Sequence, residues 1–104
     1  MAENYIPISS WAEDDKPREK MLSKGVATLS TNELLAILIR SGCGGESALD
    51  LSRRILLDLS NDLNTLARLS VLDFTNRYKG VGMAKAASIV AAMELGRRRA
   101  LSAV

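Results

Sequence analysis

Apolar positions along the 104-residue chain fall at helical spacing, and glycine or short polar clusters separate one run from the next. The clearest stripe is Ala48, Leu51, Ile55 and Leu59, with Leu56 beside it and Asp50, Arg53, Arg54 and Asp58 opposite. This predicts an amphipathic helix that starts at Glu46 or Ser47 and reaches about Leu59. Before it, Thr31 to Arg40 carries Leu34, Leu35, Ile37, Leu38 and Ile39 with few polar positions, the mark of a central helix. Ser30-Thr31-Asn32-Glu33 opens that helix as a capping box, in which Ser30 accepts from the Glu33 N–H and Glu33 reaches back. Asn61 and Asp62 mark a turn into a short helix, Leu63 to Leu69, with Leu66 and Leu69 inward. Ser70 caps the next segment with Asp73 in a capping-box role, and Val71, Leu72 and Phe74 supply its apolar side. The last helix runs from Met83 to about Arg99, burying Ala86, Ile89, Val90 and Met93, while alanines at 84, 87, 91 and 92 permit close helix approach.

The two ends read differently. Residues 1–16 hold no sustained period and form an N-terminal strap, in which Tyr5, Ile6, Ile8 and Trp11 are apolar enough to pack. Glu13, Asp14 and Asp15 are a solvated lead-in. Pro17 suits a first helical position, so a helix is expected from about Pro17 to Lys24, burying Met21 and Leu22 and ended by Gly25. Residues 17–100 then make one domain, and 101–104 a frayed end or the start of a linker. The fold class expected is all-α, a small helical bundle. Composition agrees: Leu and Ala are plentiful, while aromatic residues make up 4% of the chain.

Between the last two helical segments stands Lys79-Gly80-Val81-Gly82-Met83-Ala84-Lys85, and the bundle is organised around it. Two glycines about one apolar residue let the backbone reverse without a Cβ clash. The unpaired N–H groups of Gly82, Met83 and Ala84 would point out of the first turn of the following helix, where an anion such as phosphate is best held. Lys85, one turn in, would add a mobile positive charge. This is a helix-hairpin-helix unit, suited to holding a nucleic-acid backbone.

A shift of 38 residues superposes a second copy: Gly42-Cys43-Gly44 on Gly80-Val81-Gly82, Ala48 on Ala86, Leu51 on Ile89, Ile55 on Met93 and Leu34 on Leu72. Two such units about a pseudo-dyad would hold both strands of a duplex; the alternative is two ordinary helical hairpins sharing a core. Gly42, Gly44 and Ser47 make the weaker site, because Glu46 would repel phosphate.

The net charge of +2 implies no partner, but its distribution does. From Ser70 onward Arg77, Lys79, Lys85, Arg97, Arg98 and Arg99 face only Asp73 and Glu94, so positive potential gathers on the hairpin half. Arg97 and Arg98 are read as widening a DNA footprint, or as complementing the negative end of their helix. Cys43 is alone and can form no internal disulfide. No apolar run approaches a membrane span, and a cytoplasmic setting is expected. With no histidine and one cysteine, the usual zinc-hydrolase, Ser-His and Cys-His sites have no residues to form them. Neither catalysis nor a cofactor or metal is expected of this chain.

Three stretches carry a family resemblance: Trp11 to Leu22, Leu29 to Gly42, and Lys79-Gly-Val-Gly-Met-Ala-Lys-Ala with Glu94-Leu-Gly-Arg-Arg. Together, from about Ile8 to Arg99, the chain resembles the N-terminal domain of RadC-like DNA repair proteins, also grouped as UPF0758. The resemblance implies an all-helical helix-hairpin-helix domain that normally precedes a JAB/MPN domain with a zinc-dependent, metalloprotease-like site. It assigns the hairpin role to Gly80, Val81, Gly82, Ala84 and Lys85, and the family's zinc ligands have no counterpart here. Two functions remain open. One is a DNA-binding module that holds about three to five phosphates with micromolar or weaker affinity. The other is an interaction or scaffold domain that positions a JAB/MPN domain.

Overall fold

The computed structural model describes residues 5–102, with side-chain surroundings described from Glu13 onward. Six α-helices and one 3₁₀ turn follow one another, with no strand among the described residues. Helix α1 spans Tyr5–Lys24, the 3₁₀ turn Val26–Thr28, α2 Thr31–Ile39, α3 Ala48–Asp58, α4 Leu63–Arg68, α5 Val71–Arg77 and α6 Met83–Leu101. Helix α2 lies centrally, packed on α3, α6 and α1, while α4 and α5 close against α6. The all-α bundle expected from the apolar spacing is what forms.

The predicted stops and starts are made by the expected chemistry. Ser30 accepts from Glu33 N at 3.2 Å while Glu33 Oε1 accepts from Ser30 N at 2.8 Å, and Ser70 and Asp73 repeat this reciprocal cap on α5. Gly25, with φ 92, ends α1 in a conformation that glycine adopts without a Cβ penalty. The core is built on Leu35, Ala36 and Ile39 of α2, Leu51, Ile55 and Leu56 of α3, Phe74 of α5 and Ile89 of α6, all nearly inaccessible to solvent. Ser52 is buried among them, and its hydroxyl donates to the carbonyls of Asn32 and Leu49 at 3.0 and 2.9 Å. That bond ties α3 to α2 and removes the cost of a buried, unpaired hydroxyl.

Several expectations need correction. The segment read as an irregular strap is helical from Tyr5, so Pro17 lies inside α1 rather than at its first position. A proline there gives up one helical hydrogen bond. Tertiary contact holds the helix through it: Pro17 is buried, and Asp14, one turn earlier on the same face, bonds to the loop before α3. The face through Asp14, Pro17 and Met21 leaves Leu22 pointing outward at 84% exposure, not buried as expected. Leu72 is 64% exposed for the same reason, because Val71, Phe74 and Tyr78 define the inward face of α5. Leu34 is also partly exposed, so α2 is not apolar-buried all round. Helix α6 continues past Arg99 to Leu101, with Ser102 as its cap. The expected packing of Tyr5, Ile6, Ile8 and Trp11 concerns side chains outside those described, as do residues 103–104 of the expected frayed end.

The 38-residue shift aligns two pairs of equally buried residues, but pairs buried Ile55 with half-buried Met93 and exposed Leu34 with exposed Leu72, and the turns differ. Ala48 and Ala86, and Leu51 and Ile89, are equivalently buried. Gly80 takes φ 96, whereas Gly42 does not enter the left-handed region; Gly44 takes φ 59, whereas Gly82 is extended at φ −84. Helix α6 starts directly after Gly82, but α3 starts only after Gly45, Glu46 and Ser47. The first glycine loop is a separate structure, closed by an antiparallel bridge between Cys43 and Glu46.

Candidate nucleic-acid interface

The second glycine turn is anchored from below. Tyr78 is buried against Phe74, with ring centroids 6.2 Å apart, and its hydroxyl donates to Asp58 Oδ2 at 2.6 Å. Burial, then the bond to Asp58, pushes the Tyr78 phenol above its ordinary pKa. Val81 N donates to Tyr78 O at 3.1 Å and closes the turn, while the Val81 side chain is buried as a plug. Gly80 is needed twice over: its φ is positive, and a Cβ there would come within 3.2 Å of Cys43 Cβ. Between the two glycines the chain is therefore held on both sides, and the next residues emerge into solvent.

Gly82 is the N-cap of α6, and Gly82, Met83 and Ala84 are all exposed. The other interior helix starts, α2 through α5, are capped by side chains of Ser30, Ser47, Asp62 and Ser70. The start of α6 has no side-chain cap. Glycine is not required there by the backbone, because φ −84 suits any residue and a Cβ at Gly82 would meet nothing within 4 Å. A Ser, Asp or Asn at this position would satisfy an orphan amide. The open donors and the positive end of the helix dipole thus face solvent together.

The charges around this start are arranged differently from the expectation. Lys79 is exposed and lines a groove of about 390 Å³ with Cys43, Gly44, Glu46 and Arg54. Lys85 turns back onto the chain: its Nζ donates to Ser41 O at 2.6 Å and to Gly80 O at 3.4 Å. Two of its three protons are committed, which pins the side chain between the two glycine turns. On the other flank a groove of about 250 Å³ runs between Leu38–Ser41 and Ala84–Ser88, with Arg40 and Lys85 in its wall. Glu46, expected to repel phosphate, is paired with Arg54 through bonds of 3.1 and 3.0 Å. The Glu46 carboxylate in turn holds the Arg54 guanidinium above its ordinary pKa.

The weaker site is already filled from within. Asp14 Oδ1 accepts from Ala48 N at 2.7 Å and Oδ2 from Gly42 N at 3.3 Å, so a carboxylate of α1 occupies the start of α3. Ser47 is spent as the cap, accepting from Asp50 N at 3.1 Å. Gly42 is glycine because the loop is tight: a Cβ there would overlap Glu46 O. At Gly42 and Ser47 the groups expected to hold an anion are therefore engaged within the chain, and Asp14, expected to be solvated, is the acid that engages Gly42. Arg97 and Arg98 also stand apart. They lie about 22 Å along α6 from Gly82, and both donate to Glu94, Arg97 at 2.9 and 2.8 Å and Arg98 at 2.8 Å. The structure thus brings together Lys79, Gly80, Val81, Gly82, Ala84 and Lys85. It leaves Arg97 and Arg98 on an exposed helix end. The residues the pattern missed are Asp14 and Arg54, which carry no local signal: Asp14 is one of three consecutive acids, and Arg54 one base among the charges on the polar face of α3.

Comparison with known proteins places the chain in a family. The family model described as UPF0758 N-terminal matches residues 8–87. A UPF0758 protein of Flavobacterium johnsoniae is 54% identical over 99 residues, covering 95% of this chain and 42% of that protein. One of Trichlorobacter lovleyi is 47% identical over 93 residues, covering 88% and 40%, and one of Porphyromonas gingivalis 45% identical over 93 residues, covering 89% and 41%. The chain thus spans about two fifths of the length of these curated relatives. No solved structure matches it. No described helix is long and apolar enough to cross a membrane.

Proposed function

The chain belongs to the UPF0758 N-terminal family, and we propose that it serves there as a non-enzymatic, non-sequence-specific DNA-binding module. The observation that carries this reading is the uncapped start of α6 at a glycine whose backbone would accept any side chain. A phosphate oxygen held by the Gly82, Met83 and Ala84 amides would stand where the other helices place a Ser or Asp oxygen. Lys79, exposed and in no ion pair among the described residues, supplies positive charge on the same turn. Such contacts position a backbone without reading bases. With Lys85 bonded to carbonyls and Arg97 and Arg98 shared with Glu94, the hairpin engages about two phosphates, and binding falls about tenfold as salt rises from about 50 to about 200 mM. The RadC-like resemblance, with its repair role and a cytoplasmic setting, is consistent with this reading.

A labelled duplex titrated by fluorescence anisotropy tests it. Gly82→Asp offers a carboxylate to the amides, and its Cβ meets nothing within 4 Å. It should abolish measurable binding while raising stability by about 0.5–1 kcal/mol, through the new cap and the reduced freedom of the unfolded chain. Binding equal to wild type in Gly82→Asp and in Lys79→Gln removes the reading.

A scaffold role rests on a different observation. An apolar groove of about 130 Å³ lies between α2, α4 and α6, lined by Leu34, Leu35, Leu38, Leu63, Leu66 and Met93. It would suit packing of the remaining part of a full-length protein, and salt-independent association with that part, without DNA binding, favours this role.

A further inference from the structure

Arg54 sits on the polar side of α3, eight residues past Glu46 and far in sequence from the hairpin. Its guanidinium nevertheless bridges the two glycine turns. It donates to both oxygens of Glu46 in the first turn, and its Nη2 also donates to the Lys79 carbonyl at 3.0 Å. On the opposite side Lys85 performs the matching task, donating to Ser41 O of the first turn and Gly80 O of the second. The carbonyls of Lys79 and Gly80 are thus each held by a cation, one from each flank. Between them Gly80 rests against Cys43 and Leu51, with a virtual Cβ only 3.2 and 3.6 Å from their side chains.

This arrangement fixes the direction of the peptide planes just before the start of α6. A carbonyl held by a hydrogen bond from Arg54 Nη2, whose fork is itself set by Glu46, constrains its peptide plane, and with it the approach of the chain to the amides that follow. Flexible or mis-set donors lose the benefit of preorganisation. We propose that Arg54 is a positioning residue for the phosphate-binding hairpin, oriented by Glu46, and that the first glycine loop is a brace for the second turn rather than a second DNA contact. The inference rests on the DNA-binding reading above and assigns a regulator of that same site.

The proposal has an unusual sign. Glu46 stands beside the hairpin, so simple electrostatics requires that neutralising it tighten DNA binding. As the group that orients Arg54, Glu46 must instead be needed for binding. Likewise, a direct phosphate ligand at position 54 would tolerate lysine, whereas a fork shared between a carboxylate and a carbonyl would not.

The test uses the 104-residue chain, a fluorescein-labelled duplex and a series of salt concentrations, with amide spectra recorded by heteronuclear NMR on the same samples. Arg54→Lys and Arg54→Gln should weaken binding alike, by about tenfold, the equivalent of one charge-assisted hydrogen bond. Both should keep the wild-type slope of log affinity against log salt, because no phosphate contact is removed. Glu46→Gln, nearly isosteric and on the surface, should weaken binding by about threefold. In all three the amide signals of Gly80, Val81, Gly82 and Ala84 should move. Tighter binding by Glu46→Gln overturns the proposal. So does full affinity in Arg54→Lys combined with a slope reduced by about one in Arg54→Gln, the behaviour of a direct contact. Failure of the wild type to bind DNA refutes the DNA reading instead, and the spectra then still decide the brace: hairpin amides unmoved in Arg54→Lys overturn it.

Discussion

Gly82 and Gly42 show how differently one residue type is used within the same chain. Gly42 is glycine because Glu46 O lies where a side chain would go, whereas Gly82 has open space around it and an ordinary φ. A position free of internal constraint that still forgoes a cap is where stability and binding pull apart, and the Gly82→Asp titration separates them. Glu94 gives a second residue-scale expectation. Bonds first from Arg97 and then from Arg98 hold its carboxyl at about 2, below the ordinary carboxylate value of 4.5. A depressed carboxylate contributes stability above the unfolded value and loses it as pH falls toward the folded one. Carbon-detected NMR of the Glu94 carboxyl should therefore place its midpoint near 2 in the wild type and return it toward 4.5 in an Arg97→Ala, Arg98→Ala double variant. Hairpin signals should not respond over that window, since the triad lies at the far end of α6.

Among the elements, α1 departs furthest from expectation. Its period is obscured because the face it buries is narrow and includes an acid and a proline. Asp14 caps α3 from a distance of 34 residues in sequence, and Lys20 bonds to Glu33 of the α2 capping box at 3.1 Å. Among its described residues, α1 is thus tied by polar contacts to the starts of two other helices. Asp14→Ala should cost about 1–2 kcal/mol, within the range of a lost cap, with amide exchange accelerating in α1 and at Gly42 and Ala48 before the rest. Uniform exchange across the bundle would refute that division. Helices α2, α3 and α5 behave oppositely: their Ser caps and apolar stripes are local in sequence, and both were readable there.

For the molecule as a whole, stability rests on one small core. Phe74 is fully buried, with the Tyr78 ring tilted against it beneath the hairpin. Phe74→Ala should cost about 3–5 kcal/mol, a large part of the margin of a domain this size. Denaturant titration should find the variant largely unfolded or its midpoint sharply lowered. A conservative Phe74→Leu should retain the fold and isolate any loosening of Tyr78 and the turn above it.

The helices, their caps and the core stripe Ala48–Leu51–Ile55 were written in the residue order, because they depend on neighbours three or four positions away. Local pattern likewise made Gly80-Val81-Gly82 legible as a turn. What it left open was which polar groups meet across the bundle. Asp14 fills one helix start, Arg54 and Lys85 brace the turn before another, and Glu94 gathers Arg97 and Arg98. Partnerships of that kind join residues tens of positions apart or choose among several equal charges on a face. They come into being only when packing of the apolar stripes sets the distances, and so the vacancy at Gly82 and the occupancy at Ala48 could be told apart only in three dimensions.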